Sequence, residues 1–278
     1  MSQARRYISR GLVVILLSFG SIALLFKIIL IPPPSISELQ EEFKNKGANL
    51  ISSSILLPEG RLHFLEVGKN TLPTLVLIHG SPGEVSVWKR TILENALFLK
   101  FRILIIDRPG YGKSYLKGGS LSYQSKKMTT FIKEKCNSCV VMGHSYGGAL
   151  ALQLGADYPK KIRKVISLAG TVSAKYQSPK WYNYWASNRL INMILPQPFR
   201  ISNDEMIKLP SDLSTLKDRT KDLSIPIIFF QGGADLLVDP LSPFEWLKTL
   251  DNVTVVYGAE KDHFIIWNSV NWVSSALN

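Results

Sequence analysis

Gly143-His144-Ser145-Tyr146-Gly147-Gly148 stands between the apolar run 139–142 and an Ala/Leu-rich stretch, 147–158. A serine on so tight a strand-to-helix turn is forced into strained backbone geometry, and its hydroxyl projects from the sheet edge. The residues two places before and after it must be glycine, because side chains there would collide with the facing backbone. Gly143 and Gly147 meet that demand. The helix that follows brings the positive end of its dipole to the point where negative charge would develop.

Outward from this turn, short β-branched runs recur at 53–57, 62–67, 74–78, 103–106, 139–142, 165–168, 227–230 and 253–257. From the third onward they are continuously apolar, as strands buried on both faces should be. Helical patterns lie between them at 87–100, 123–135, 147–158, 243–250 and 264–277. Such alternation predicts an α/β fold, a mostly parallel sheet with helices on both faces. One connection is out of proportion. Residues 171–224, 54 in all, hold Tyr176, Trp181, Tyr182, Tyr184 and Trp185, then a helical pattern through Asn192 to Leu195. A plain crossover needs far fewer, so this insert after the sixth strand is expected to form a small helical cap.

A serine hydroxyl is a poor nucleophile until a base takes its proton, and an acid must hold that base in one tautomer. Of the four histidines, His63 falls within an early strand, where a core or edge role is expected. His79 and His144 sit too close to strand ends to swing onto Ser145. His263 follows the last strand on a loop able to return over the sheet's carboxyl edge, and is the expected base. The acid should come from a strand end between serine and histidine, and no Asp or Glu occurs from Pro159 to Asn203. After the seventh strand, Gln231-Gly232-Gly233-Ala234 delivers Asp235 directly, in preference to Asp239 four residues on. The oxyanion needs two backbone N–H donors. Tyr146 supplies one, and Ser81 in His79-Gly80-Ser81-Pro82-Gly83 the other, since Pro82 has no N–H.

Other motifs fail their tests. Asp107-Arg108-Pro109-Gly110-Tyr111-Gly112-Lys113-Ser114 ends in GKS, but a phosphate loop needs glycine where Asp107 stands, and the dinucleotide pattern needs one at Tyr115. Asp107 and Arg108 are expected to fix the turn after the fourth strand. Cys136-Asn137-Ser138-Cys139 lacks two further ligands for a structural zinc site and closes a helical stretch rather than opening one. Two small buried or rim residues are the expected outcome, and no metal or cofactor is called for.

The 278 residues are 46% hydrophobic and 19% charged, which excludes a disordered chain, a collagen-like fibre and a disulfide-stapled miniprotein. The net charge of +12 is diffuse and without a Lys/Arg block, so nucleic-acid binding is not expected. Residues 11–31 are almost wholly apolar, long enough at about 30 Å to cross a bilayer. Arg5, Arg6 and Arg10 precede them, which predicts a cytoplasmic amino terminus and a single-pass anchor. The expected organisation is a tip, transmembrane anchor and proline spacer over 1–34, then a catalytic domain over 35–278 on the extracytoplasmic side. A cleaved signal peptide, with the domain secreted, is the alternative.

From about residue 50 to the end, the chain resembles the α/β-hydrolase superfamily. His79-Gly80 with Pro82, Asp107-Arg108-Pro109-Gly110 with Gly112 and Ser114, Gly143 to Gly147, Asp235 and His263 fall in that family's order. The resemblance implies an eight-stranded sheet with its second strand antiparallel, and a triad of Ser145, Asp235 and His263. Serine at the elbow argues against the dehalogenase and epoxide hydrolase branches, which use aspartate there. A serine hydrolase is expected, acting on a small ester whose apolar group meets Trp181, Tyr182 and Trp185 of the cap. An aminopeptidase, a C–C bond hydrolase or a hydrolase-like binding protein without turnover are the alternatives.

Overall fold

Runs of Val, Ile, Leu and Phe extend and pair because their branched side chains pack on both faces of a pleated sheet. In this computed structural model, which describes residues 32–277, those runs form eight strands. Helix α1 (Ile36–Asn45) precedes a hairpin of β1 (Ile51–Leu57) and β2 (Gly60–Val67). Then come β3 (Thr74–Ile78), α2 (Lys89–Glu94), β4 (Arg102–Ile106), α3 (Leu121–Lys135), β5 (Cys139–His144), α4 (Tyr146–Asp157) and β6 (Ile162–Leu168). The insert holds α5 (Trp181–Ala186), α6 (Arg189–Ile194) and α7 (Gln197–Thr220). β7 (Ile227–Gly232), β8 (Val253–Gly258), α8 (Ile265–Asn268) and α9 (Val270–Ser274) complete the chain, which divides at Ser35/Ile36 into two units. Everything described below belongs to the second.

The strand order is β1-β2-β4-β3-β5-β6-β7-β8. β2 is antiparallel to both its neighbours, and β4, β3, β5, β6, β7 and β8 run parallel. Ile78 of β3 pairs with Ile106 of β4 on one side and Gly143 of β5 on the other, and Gly143 pairs with Ser167 of β6. These strands therefore end level, and the turns after them gather along one edge, where ligands of open parallel sheets bind. Side chains alternate between two cores. Val76, Ile78, Leu104 and Val141 pack with Met128, Phe131, Leu150 and Leu213 from α3, α4 and α7. Leu75, Leu77, Ile105 and Met142 pack with Leu39, Phe43, Ile92 and Val273 from α1, α2 and α9.

The helical patterns at 87–100, 243–250 and 264–277 are broken where the structure is continuous elsewhere. Ala96 takes a left-handed φ of 48° between α2 and a single turn, Leu97–Leu99. Pro243 opens a 3-10 turn, Ser242–Phe244, which gives way to another at Leu247–Thr249. Ser269, at φ −142°, separates α8 from α9. Cys136 caps α3 and Cys139 opens β5, and both are buried with free thiols.

The membrane expectation is corrected. No helix among the described residues is long and apolar enough to cross a membrane, and residues 1–31, on which the anchor, the signal-peptide alternative and the extracytoplasmic placement rested, lie outside the described residues. The single-pass assignment is dropped.

The elbow's glycine requirement is explicit in the coordinates. A Cβ on Gly143 would lie 1.9 Å from the Gly147 carbonyl oxygen, a backbone atom that cannot rotate aside. Gly143→Ala is expected to lower the unfolding free energy by about 3 kcal/mol, the upper range for overpacking, measurable by urea denaturation.

Candidate active site

Ser145 sits at φ 55°, ψ −125°, a left-handed conformation that a non-glycine residue holds only under constraint, at about 1–3 kcal/mol. The constraint is visible on both sides of it. The Ser145 N–H donates to the Leu168 carbonyl at 2.9 Å, and its own carbonyl accepts from Gly148 at 2.8 Å. Tyr146 is the first residue of α4, so its N–H has no acceptor within the helix. Gly80 is pressed close to the serine, since a Cβ built on it would lie 3.0 Å from that of Ser145.

Asp235 and His263 come together through the ends of β7 and β8. Gly233 N–H bonds the Gly258 carbonyl at 2.8 Å and Ala234 N–H bonds Lys261 at 3.0 Å, zipping the two turns side by side. Only glycine permits this approach, because a Cβ on Gly232 would lie 2.1 Å from the Lys261 carbonyl oxygen. The result is a 2.8 Å hydrogen bond from His263 Nδ1 to Asp235 Oδ2. Asp235 Oδ1 accepts from the Leu237 and Val238 amides, both at 2.8 Å, so the carboxylate is clamped from behind. Burial pulls the Asp235 pKa upward, but the hydrogen bond and charge of His263 and the two amides outweigh it and hold the group below its ordinary value. With Nδ1 donating to Asp235, His263 Nε2 carries the lone pair.

The imidazole ring centroid lies 4.9 Å from that of His144, the residue before the serine, and His144 Nε2 donates to the His263 carbonyl at 2.8 Å. Among the described residues the Ser145 hydroxyl has no hydrogen-bond partner. Asp239 instead caps its own turn, accepting from Leu241 N–H. Trp181, Tyr182 and Trp185, expected to meet the substrate, lie on α5 with 73%, 54% and 66% of their surface exposed.

Two features had no local signal in the sequence. The first is a chain of hydrogen bonds with the same connectivity as a triad. Ser52 Oγ donates to His63 Nε2 at 2.9 Å, and His63 Nδ1 donates to Asp107 Oδ2 at 2.7 Å. Ser52 lies on extended β1, with no helix terminus behind it, while Asp107 also takes the Val85 and Lys113 amides. This set locks the turn after β4. The second is a buried ion pair between Arg108 and Glu205 of α7, with Arg108 Nη1 2.7 Å from Glu205 Oε1.

The profile of the α/β hydrolase fold family matches residues 73–277. The chain belongs to the α/β-hydrolase fold family. As in that family's layout, this α/β hydrolase gathers its polar residues at the carboxyl edge of the sheet. It is 35% identical over 119 residues to bifunctional epoxide hydrolase 2 of Sus scrofa, a match covering 41% of this chain and 21% of that protein. It is 31% identical over 102 residues to the pimeloyl-[acyl-carrier protein] methyl ester esterase of Aeromonas hydrophila, covering 36% of this chain and 38% of the esterase. The matched segments thus span well under half the length of these relatives. A lipase structure from Acinetobacter baumannii superposes with a TM-score of 0.65 at 19% identity, over 89% of this chain and 96% of the lipase, a likeness of fold.

Proposed function

We propose that this α/β hydrolase is a serine hydrolase that works through an acyl-enzyme, on a carboxylic ester with an apolar group. The observation that carries the reading is the 2.8 Å bond from His263 Nδ1 to Asp235, which leaves Nε2 free as a base beside the strained Ser145 elbow. His263 Nε2 takes the Ser145 proton as Oγ attacks the ester carbonyl. The N–H groups of Tyr146 and Ser81 hold the oxyanion, a contribution on the order of 10²–10³ in rate per donor. Collapse expels the alcohol, protonated by the imidazolium. Water, deprotonated by the same imidazole, then releases the acid and restores Ser145. Asp235 holds the ring in the tautomer both half-reactions need.

A hydroxyl at the elbow, rather than a carboxylate, directs the chemistry to acyl transfer, in keeping with the esterase among the relatives. A fluorophosphonate probe on the intact protein should label Ser145, identified by peptide mass, and not Ser52, which lies within strand β1 rather than at a strand-to-helix turn. A p-nitrophenyl ester series of increasing acyl length, run beside an aminoacyl arylamide, should show ester turnover. Faster arylamide cleavage would point to an aminopeptidase. A folded protein that is neither labelled nor active on any of these would overturn the proposal in favour of a binding role.

A further inference from the structure

Helix α7 is held to the sheet by two different kinds of contact. Its carboxyl half buries Leu209, Leu213 and Leu216, whereas its amino half buries only polar residues, Ser202, Asn203 and Glu205. Pro210, which lacks an N–H for the Met206 carbonyl, stands at the division. Glu205 is the centre of the polar half. Its carboxylate accepts from Arg108 Nη1 at 2.7 Å and Nη2 at 3.2 Å, Gln124 Nε2 at 2.8 Å, the Tyr111 hydroxyl at 2.8 Å and the Ser81 hydroxyl at 2.5 Å. Arg108 Nη2 also donates to the Gly80 carbonyl at 2.9 Å, and its guanidinium lies over the rings of Tyr111 and Tyr146 at 4.5 and 4.6 Å.

A buried ion pair is weak evidence for stability, since apolar residues of similar volume often hold a fold as well or better. What this one does that apolar packing cannot is grip the oxyanion turn. Glu205 holds the side chain of Ser81 and Arg108 holds the carbonyl of Gly80, so the peptide unit carrying the Ser81 N–H is tied to the cap directly on one side and through the Arg108–Glu205 pair on the other. Beside this clamp, a groove of about 620 Å³ runs between α7 and the Ser114–Gly119 loop, lined by Arg200, Ile201, Glu205 and Lys208. The amino half of α7 is thus seated by polar contacts next to open space.

We propose that Glu205, acting with Arg108, is a positioning residue: the cap's carboxylate sets the Ser81 amide where the oxyanion forms, so the hole is complete only when the cap is docked. This rests on the serine-hydrolase reading above. Cap docking and transition-state stabilisation then become one event, and a substrate that favours the docked cap assembles its own catalyst.

The test compares Glu205→Gln, Glu205→Asp and the double variant Arg108→Met/Glu205→Leu with the wild type, using full-length protein and a p-nitrophenyl ester. Active sites are titrated with fluorophosphonate, so that only folded protein is counted. Glu205→Gln should lower kcat by about a hundredfold, the scale of a 1 Å misplacement, with KM changed less than about threefold. Glu205→Asp should recover part of the loss. The double variant, free of unpaired charge, should regain the wild-type melting temperature while kcat stays low. If kcat per titrated site is unchanged in Glu205→Gln, or returns with stability in the double variant, Glu205 is structural and the inference fails alone. An unlabelled, inactive wild type would overturn it together with the reading on which it rests.

Discussion

Asp235→Asn is expected to lower kcat by about 10⁴-fold, the loss that follows when a triad imidazole is held in the wrong tautomer. The fold should be untouched, because the side chain's two jobs are separable. Asn oxygen in the Oδ1 position still accepts from the Leu237 and Val238 amides, which keeps the turn after β7 in place. Asn nitrogen in the Oδ2 position then faces His263 Nδ1 as a donor, so the imidazole must present its lone pair there and its proton toward Ser145. The base is lost without removing the ring. Asp239→Asn, which only exchanges the cap of a surface turn, should keep kcat within about twofold. Stopped assays with an activated ester, together with thermal melts of both variants, check the pair. Equal losses from the two, or loss of melting temperature in Asp235→Asn, would remove Asp235 from the proposed role.

The contrast between these aspartates shows which parts of the molecule were legible in the chain. Strands were, because burial on both faces demands unbroken apolar runs, and β3 through β7 fall where those runs lie. The elbow was, because crowding by backbone allows only glycine at Gly143, and a local rule is readable locally. Helix α1 and the long α7 were not anticipated. α7 carries Pro210 and an amino half that buries Ser202, Asn203 and Glu205, so the apolar periodicity that marks a docked helix is absent over half its length. The Arg108–Glu205 pair spans 97 residues and leaves no pattern in either segment. His63 could be placed in a strand, but its bonds to Ser52 and Asp107 depend on the β1–β2 register and the return of β4. What sequence could not convey was long-range polar contact, where one residue's partner is set by topology alone.

Acid should destabilise this protein well above the range where carboxylates titrate, through two histidines that the proposed chemistry does not use. His79 is fully buried, donating from Nδ1 to the Gly80 carbonyl at 2.8 Å and accepting at Nε2 from the Arg108 N–H at 3.0 Å. A proton on Nε2 would set two donors face to face. Burial, with the charge of Arg108, holds its pKa well below the ordinary value. His144 is lowered to about 3, by burial first and then by the charge of His263, against the help of the His263 carbonyl and Asp235. Both groups bind protons more weakly folded than unfolded, where the pKa is about 6.5. Their contribution is therefore fully present above that value and is lost as pH falls below it, for His144 down to about 3. Below the unfolded pKa each group gives a slope that approaches about 1.4 kcal/mol per pH unit. Asp235, also lowered, adds to the loss only below about pH 4. Glu84 and Asp212, raised by burial, work the other way at the acid end. Between pH 6.5 and 5 the histidines dominate, and urea unfolding should show a drop of about 3 kcal/mol, a large share of the roughly 5–15 kcal/mol that holds a typical domain together. His144→Gln, whose amide can still donate to the His263 carbonyl but does not titrate, should remove about half of that slope. A stability flat across this window, or a slope unchanged in the variant, would mean that the unfolded chain gains no proton the folded one lacks at this position.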